Sequence, residues 1–482
     1  MASPLNIISP GHQLKPRRKM KNKLLLTFAF SLVLSFSGRA ETIDTLSWTG
    51  FMDIIRKNHP VMQRAKLQLD LARARKTQAL GAFDPKLSID YDRKLFDGTE
   101  YYTSLTPEVK LPLWFGAELK ASFTDASGAY INPENKVAKE GLSYAGLSIP
   151  LGKGLLMDKR RAGWKQALIF EQASKNERTA ILNNLFMEAG ESYINWHNKY
   201  RLYKTFESTV VLAKVRLEAV KKAHKGGDRP LIDTVEAASQ LQLREIQLKL
   251  SKLEMISALY DLSTYLWLDN AEAVDPEKLN IMPQATFELP VSQINIQNNP
   301  KLRGYDFKIQ HLQIERRLKA ESLRPELNLQ VGLLNNGRSA LSNMNTTYWN
   351  NNNKVGLQFS FPLTFSTARA ELAEAKIKIR ETELEQSLSR VELENKLKQT
   401  QATIKNLNEQ IELLQQSYVA NQQLIKGEET RFKLGESSLF LVNARESKLL
   451  EVNEKLIETE AKLKKAELKL VWLNGGLPEG AE

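Results

Sequence analysis

The 482-residue sequence contains no cysteine. No disulfide is available, no thiolate can ligate a metal, and no lipid-bearing cysteine can follow a cleaved leader. Histidine is scarce too. His12, His59, His197, His224 and His311 are the full set, and no two stand at metal-ligand spacing. There is no glycine-rich phosphate loop and no nucleophile elbow. These absences leave no enzyme, metal or cofactor to read, so energy for any transport must come from a partner. Beyond residue 40 no apolar run reaches spanning length. Any bilayer crossing must then be made by strands. A basic surface for nucleic acid is missing as well. The net charge is +12, but seven bases and no acid fall in residues 1–40, leaving +5 for the rest. No basic block with interleaved aromatics remains, which excludes nucleic acid as a partner.

Residues 1–40 read as a secretory signal. A basic stretch precedes the apolar run from Leu24 to Phe36, and Gly38 and Ala40 offer the small residues that a signal peptidase reads. Cleavage is expected after Ala40, with either Met1 or Met20 as the start.

What the chain does contain is one pattern written twice. Asn58-His59-Pro60 recurs as Asn298-Asn299-Pro300, and Asp84-Pro85-Lys86-Leu87 as Arg324-Pro325-Glu326-Leu327, both at an offset of 240. Arg161-Ala162 recurs as Arg369-Ala370, Ala167 as Ala375, and Gly227 as Gly435, all at an offset of 208. A constant offset over so long a stretch means that neither copy gained or lost a residue there. That is expected of a helix whose length matters. The mature chain divides into a first repeat over 41–275 and a second over 276–482.

Each repeat reads as helix, strands, long helix, turn, helix. The first helix, about 46–82, is interrupted at Pro60, as its counterpart is at Pro300. Strands are expected over about 86–151 and 326–363, opened by Pro85 and Pro325 and closed around Pro150 and Pro362. Leu87, Ile89 and Tyr91 alternate with Ser88, Asp90 and Asp92, and Leu327, Leu329 and Val331 with Asn328 and Gln330. That is a period of two with one apolar and one polar face. A loop rich in Asn, Ser and Thr, 335–353, separates the strands of the second copy. The first copy carries 28 more residues here, with strand-like runs at about 103–113 and 117–125.

Long helix pairs follow over about 160–269 and 368–473. Ala162 to Gly227 and Ala370 to Gly435 each span 65 positions, roughly 100 Å at about 1.5 Å per residue. That approximates the depth of a periplasm. In the partner helices two heptad seams run side by side. One is Leu243, Ile246, Leu250, Leu253, Ser257 and Tyr260, and the other is Leu241, Leu248, Met255 and Leu262. The second copy has Leu449, Val452, Leu456, Thr459 and Leu463 beside Leu450 and Ile457. A two-stranded coiled coil needs only one seam. Two seams place each helix between two neighbours, in a thick bundle or in a cylinder. The strands decide for the cylinder, since a polar face opposite an apolar one suits a membrane β-barrel. Four strands cannot close a barrel, so the chain must oligomerise. Trp114, Phe115, Tyr348 and Trp349 at strand or loop ends suit a membrane interface.

In this order and register the motifs resemble the TolC family of outer-membrane efflux proteins. The carrying residues are the Asn-Pro starts at Pro60 and Pro300, the prolines Pro85 and Pro325, Ser148-Ile149-Pro150-Leu151 and Ser360-Phe361-Pro362-Leu363, and Gly227 and Gly435 at the far turns. The resemblance covers about 46–475. It implies a mixed α and β membrane protein: a homotrimer whose outer-membrane β-barrel continues as a periplasmic α-helical barrel. It also implies a passive exit duct for tripartite efflux or type I secretion. The tip would be opened by a periplasmic adaptor and an inner-membrane transporter of RND, ABC or MFS type. A non-conducting, periplasm-spanning anchor is the alternative. Four strands per chain would give such a trimer twelve, and six would give eighteen. Because a wider barrel sits awkwardly on an unchanged number of helices, the insertion is expected partly outside the membrane.

The tip turns, Gly227-Asp228 and Gly435-Glu436, are the expected adaptor contacts. The glycines suit the positive φ that such turns need. In the family a polar lock and a carboxylate ring close the tunnel there. Counted from the turn glycine, the matching residues are Arg229, Asp233 and Glu236, against Ser437, Leu441 and Ala444 in the second copy. The family's richer set lies on the second copy, so this chain departs from it. Converging carboxylates would repel, raise each other's pKa and attract cations. Otherwise they are solvated acids at a helix start.

Overall fold

The computed structural model describes residues 45–268, 272–278, 281–289, 295–337 and 351–475. The leader, most of the 335–353 loop, Tyr348 and Trp349 lie outside the described residues. Strand β1 (Thr45–Leu46) precedes α1 (Trp48–Asn58) and α2 (Pro60–Leu80), and strands β2 (Lys86–Phe96), β3 (Thr99–Pro112), β4 (Glu118–Ser127) and β5 (Leu142–Pro150) follow. Helices α3 (Lys159–Lys225) and α4 (Leu231–Ser263) come next. Short strands β6 (Trp267–Leu268), β7 (Glu272–Ala273) and β8 (Met282–Pro283) lead to α5 (Pro300–Glu321). The chain closes with β9 (Glu326–Asn336), β10 (Asn353–Ser360), α6 (Ser366–Lys433) and α7 (Leu439–Leu473).

The Asn-x-Pro motifs start helices rather than merely interrupting them. His59 Nδ1 accepts from the Val61 amide at 3.2 Å, and Asn299 Oδ1 from the Lys301 amide at 2.9 Å. Each satisfies an orphan donor at a helix whose first residue is proline, where the missing N–H costs nothing. The same segments hold the returning helices. Asn58 Nδ2 donates to Trp267 O just past α4, and Asn299 Nδ2 to Leu473 O at the end of α7, both at 2.9 Å. Strand β10 stops at Ser360, short of the expected 363. Pro362 has no N–H to give to a ladder, and Phe365 turns left-handed (φ +51°) into α6.

Among the described residues no helix is long and apolar enough to cross a membrane. The helices form a layer four wide at each level. Near the strands the neighbours run α2, α3, α5, α6, and toward the tips α4, α3, α7, α6. The apolar core girdles the middle of α3, where Phe51, Ile55, Leu182, Tyr193, Trp196 and Leu262 are buried. Tyr193 donates to Leu46 O at 2.8 Å, and its ring stacks on Phe51. Burial raises that phenol to about 12.

At one end of the layer stands a six-stranded antiparallel sheet in the order β10-β9-β5-β4-β3-β2. The insertion therefore does not form a separate hairpin. β3 and β4 are hydrogen-bonded members of the sheet between β2 and β5. One register row crosses all six strands: Leu87–Val109–Ala121–Ala145–Leu333–Asn353. Up to the bulge at Lys94/Leu95, odd-numbered residues make one face of this sheet, and that face is apolar in every strand. Leu87, Leu105, Leu119, Leu147, Leu329 and Leu357 all point there. Even-numbered residues such as Asp90, Glu108, Lys120, Gln330 and Gln358 make the other. The apolar face is uncovered toward its edge strands, with Leu87 68% and Leu357 65% exposed, while Leu333 near its middle is buried. On the polar face the ring of Tyr144 lies over Gly146 and its cross-strand partner Gly332. A side-chain carbon on either glycine would come within 2.3 Å of that ring or its hydroxyl.

Candidate functional site at the helix tips

The two helix-to-helix turns lie at the end opposite the sheet and are built alike. Gly227 (φ +85°) and Gly435 (φ +80°) hold left-handed backbone. The Asp228 amide returns to Ala223 O and the Glu436 amide to Arg431 O, both at 2.9 Å. These bonds satisfy carbonyls that a helix end would otherwise leave orphaned.

Arg229 joins the two turns within one chain. Its Nη2 donates to Phe432 O at 2.6 Å, and its guanidinium sits 4.0 Å from the Phe432 ring centroid. His224 Nδ1 lies 2.9 Å from Arg229 O and steadies the same turn. Asp233 is half-buried in the first turn of α4, where a carboxylate suits the helix dipole. Among the described residues no side-chain partner to it is seen. Glu236 does have one, accepting from Asn443 Nδ2 at 3.1 Å.

That contact opens into a network that sequence reading missed. Arg216 of α3 donates to Asn443 Oδ1 at 3.4 Å and to Glu429 of α6 at 3.3 Å, and it also pairs with Glu446 of α7. Glu236 of α4 joins through Asn443, so all four helices contribute to one network around this guanidinium. Its fixed fork suits several acceptors at once. A second buried cation, Arg244, donates to Ser447 Oγ at 2.9 Å. The second turn has a buried acid of its own. Glu428 accepts from Ser437 Oγ and lies 3.9 Å from Arg431 and 4.0 Å from Arg445. Charge is thus present on both tips. Counting from the turn glycine toward only the following helix found one set and passed over the other. A signal was available, since Arg216 stands eleven residues before Gly227 and Glu446 eleven after Gly435, at one level.

At the sheet's far end, the segment 128–141 folds over the polar face. Tyr130 packs on Tyr101 with centroids 4.7 Å apart, and its amide donates to Tyr101 O at 3.1 Å. With Asp92, Tyr102, Ser104 and Thr124 the segment encloses a polar cavity of about 420 Å³.

A tip tied by buried charge and a two-faced sheet on a four-wide helical layer form a distinctive pair. Residues 291–476 match the outer membrane efflux protein family. No curated protein sequence matches the chain significantly. Among solved structures, the fold is similar to the CmeC outer membrane channel of Campylobacter jejuni (TM-score 0.64, 15% identity, 89% of this chain and 86% of that one). It is similar to VceC of Vibrio cholerae (0.64, 13%, 89% and 96%). The open MtrE outer membrane channel of Neisseria gonorrhoeae is another (0.63, 14%, 90% and 90%). The resemblance to outer membrane efflux proteins thus holds in sequence over most of the second half, and in fold over nearly the whole chain.

Proposed function

We propose that the chain is the passive exit duct of a tripartite efflux pump or type I secretion system. Three copies close their sheets into one outer-membrane barrel, and their helices continue it as a tunnel through the periplasm. The observation that carries this reading is the six-stranded sheet with one largely uncovered apolar face and one polar face. In lipid an open sheet edge leaves backbone groups unpaired, so β2 and β10 require neighbours. The helices point to the same closure. Near the strands Leu67 and Leu71 of α2 and Ile377, Leu384 and Leu388 of α6 are exposed, and toward the tips Leu243, Ile246, Leu250 and Leu253 of α4 and Leu413 and Leu424 of α6, so both outer helices at each level carry uncovered apolar residues.

The gate lies at the tips. Arg229 and the Arg216 network hold the two helix pairs of one chain together, and Glu236 is a member of that network. Asp233, free of an intrachain partner among the described residues, is the residue left to converge with its copies. Three such carboxylates at a narrow aperture favour cations and repel one another. The periplasmic adaptor and inner-membrane transporter engage the turns at Gly227-Asp228 and Gly435-Glu436 and pull the pairs apart.

Single-channel conductance in a planar bilayer, beside an Asp233→Ala/Glu236→Ala variant, tests this. Small cation-selective steps that grow and lose selectivity in the variant are expected. Steps that the variant leaves unchanged place the gate elsewhere. Inserted protein that never conducts overturns the duct and leaves the anchor.

A further inference from the structure

We infer that the β3–β4 hairpin is part of the membrane wall, giving each chain six barrel strands and the outer-membrane pore the full girth of the helical tunnel. The inference rests on the duct reading and sharpens it toward cargo size. The wall then sets no narrower girth than the tunnel, and the element left to restrict a solute at the membrane is the segment 128–141 that folds over the polar face.

The tilt of the strands can be read from where the apolar belt sits in each. In β2 the belt is Leu87, Ile89 and Tyr91, running from the common register row toward the loop end. In β10 it is Val355, Leu357 and Phe359, running from that row toward the helix end. The belt therefore slides by six residues across the sheet. Lipid is flat, so the strands must lean to keep their apolar residues level. Six residues are roughly 20 Å along a strand, and five strand spacings are roughly 24 Å. The lean is about 40°, within the range at which barrels close.

Girth follows. Six strands about 4.8 Å apart, leaning about 40°, occupy roughly 38 Å of arc. Four helices packed about 9.5 Å apart also occupy roughly 38 Å. Four strands would fill only about 25 Å. The six-stranded sheet fits its own helical layer, and a four-stranded one would leave the layer overhanging. The hairpin is also fastened where a wall strand has to be. Its turn residue Trp114 stacks on Phe83 beyond α2 at 4.2 Å and meets Trp164 of α3 edge-on at 5.2 Å. Arg160 of α3 donates to Gly116 O at 3.4 Å. The turn thus bridges the two helices between which the extra strands stand.

The absence of native cysteine makes single-cysteine labelling clean. Four conservative variants suffice: Ala121→Cys and Ser122→Cys in β4, and Val331→Cys and Gln330→Cys in β9. In outer membranes, a membrane-impermeant thiol reagent is expected to modify Ser122→Cys and Gln330→Cys at least ten-fold faster than Ala121→Cys and Val331→Cys. If β9 alternates while both β4 positions react alike, the hairpin lies outside the wall, and the duct stands without this inference. If β9 does not alternate, the barrel reading falls and takes the inference with it. Spin labels on Gln330→Cys read the girth directly. Eighteen strands place the three Gln330 Cα atoms about 31 Å apart and twelve about 21 Å, and lumen-facing labels shorten both by the same amount, so the two girths stay about 10 Å apart. The shorter distance overturns the proposal, and the absence of any intermolecular distance overturns the trimer.

Discussion

Helices α4 and α7 hold matching places in the two halves of the chain, follow turns of the same build, and carry the same double heptad seam. Their fates differ. α7 lies between α3 and α6, and both its seams are covered: Val452 and Leu456 are buried on one, Leu450 and Ile457 on the other. α4 lies at the edge of the layer. Its seam through Leu241, Leu248 and Leu262 packs against the chain, while Leu243, Ile246, Leu250 and Leu253 face outward. The same apolar periodicity therefore serves as core in one helix and as an uncovered stripe in the other. Which of the two it becomes depends on the number of neighbours, and the pattern itself does not carry that number.

Charge on the outward seam of α4 should have the largest effect. A Leu250→Glu/Leu253→Glu variant is expected to lose the trimer altogether in native mass spectrometry while keeping its helical circular dichroism. A trimer that survives would show that this seam is not an interface. The next test contrasts single truncations. Ile457, 4% exposed, packs with Leu202, Phe206 and Leu450, and Ile457→Ala should cost about 2–5 kcal/mol. Leu250, 57% exposed, should cost under about 0.5 kcal/mol in dissociated chains. Denaturant unfolding of dissociated chains measures both, and equal losses would erase the distinction between the helices.

A smaller effect is expected at the network that joins the pairs. Arg216→Ala leaves Glu446 partly buried without its cation, at a cost of about 2–3 kcal/mol. In bilayers it should enlarge conductance, and a destabilised protein with unchanged conductance would make the network scaffold rather than lock. The smallest effect is on pH. Burial, with Arg201 beside it, holds His197 below the usual histidine value, and burial does the same for His59. Both rings are neutral above about pH 6.5 in either state, so stability is flat there. Below that pH the unfolded chain takes protons that the folded one refuses. Stability then falls by at most about 1.4 kcal/mol per pH unit for each ring, until the lowered folded values are reached. Thermal melts from pH 8 to 5 should bend downward below 6.5, and His197→Gln should straighten part of the bend.

Much of the fold was legible in the sequence, because long helices and alternating strands are local patterns. The offsets marked the helix lengths, and the parity of Leu87, Ile89 and Tyr91 marked a two-faced strand. Strand number in the sheet was not legible. Runs near 103–113 and 117–125 read as strands, but whether they pair with β2 and β5 is decided by long-range register. The inner seam of α4 was only half visible. Its second line is Ala237, Arg244, Ser251 and Ala258, all buried, and small or polar residues do not register in a hydrophobic pattern. The tip site was legible at Arg229 and Glu236 as residue types, but not in its partners. Arg216 lies on α3 and Asn443 and Glu446 on one face of α7, two surfaces that only folding brings together.

The β3–β4 hairpin has a consequence for how such a wall can change over evolutionary time. A hairpin returns the chain to the place where it left, so its gain or loss leaves the start of α3 where it was. Adding one residue inside a strand would turn every later side chain to the wrong solvent, and adding one inside α3 would spoil its match with α6. On the proposed barrel, girth is therefore a heritable trait that varies in pairs of strands, independently of the length of the helices behind it.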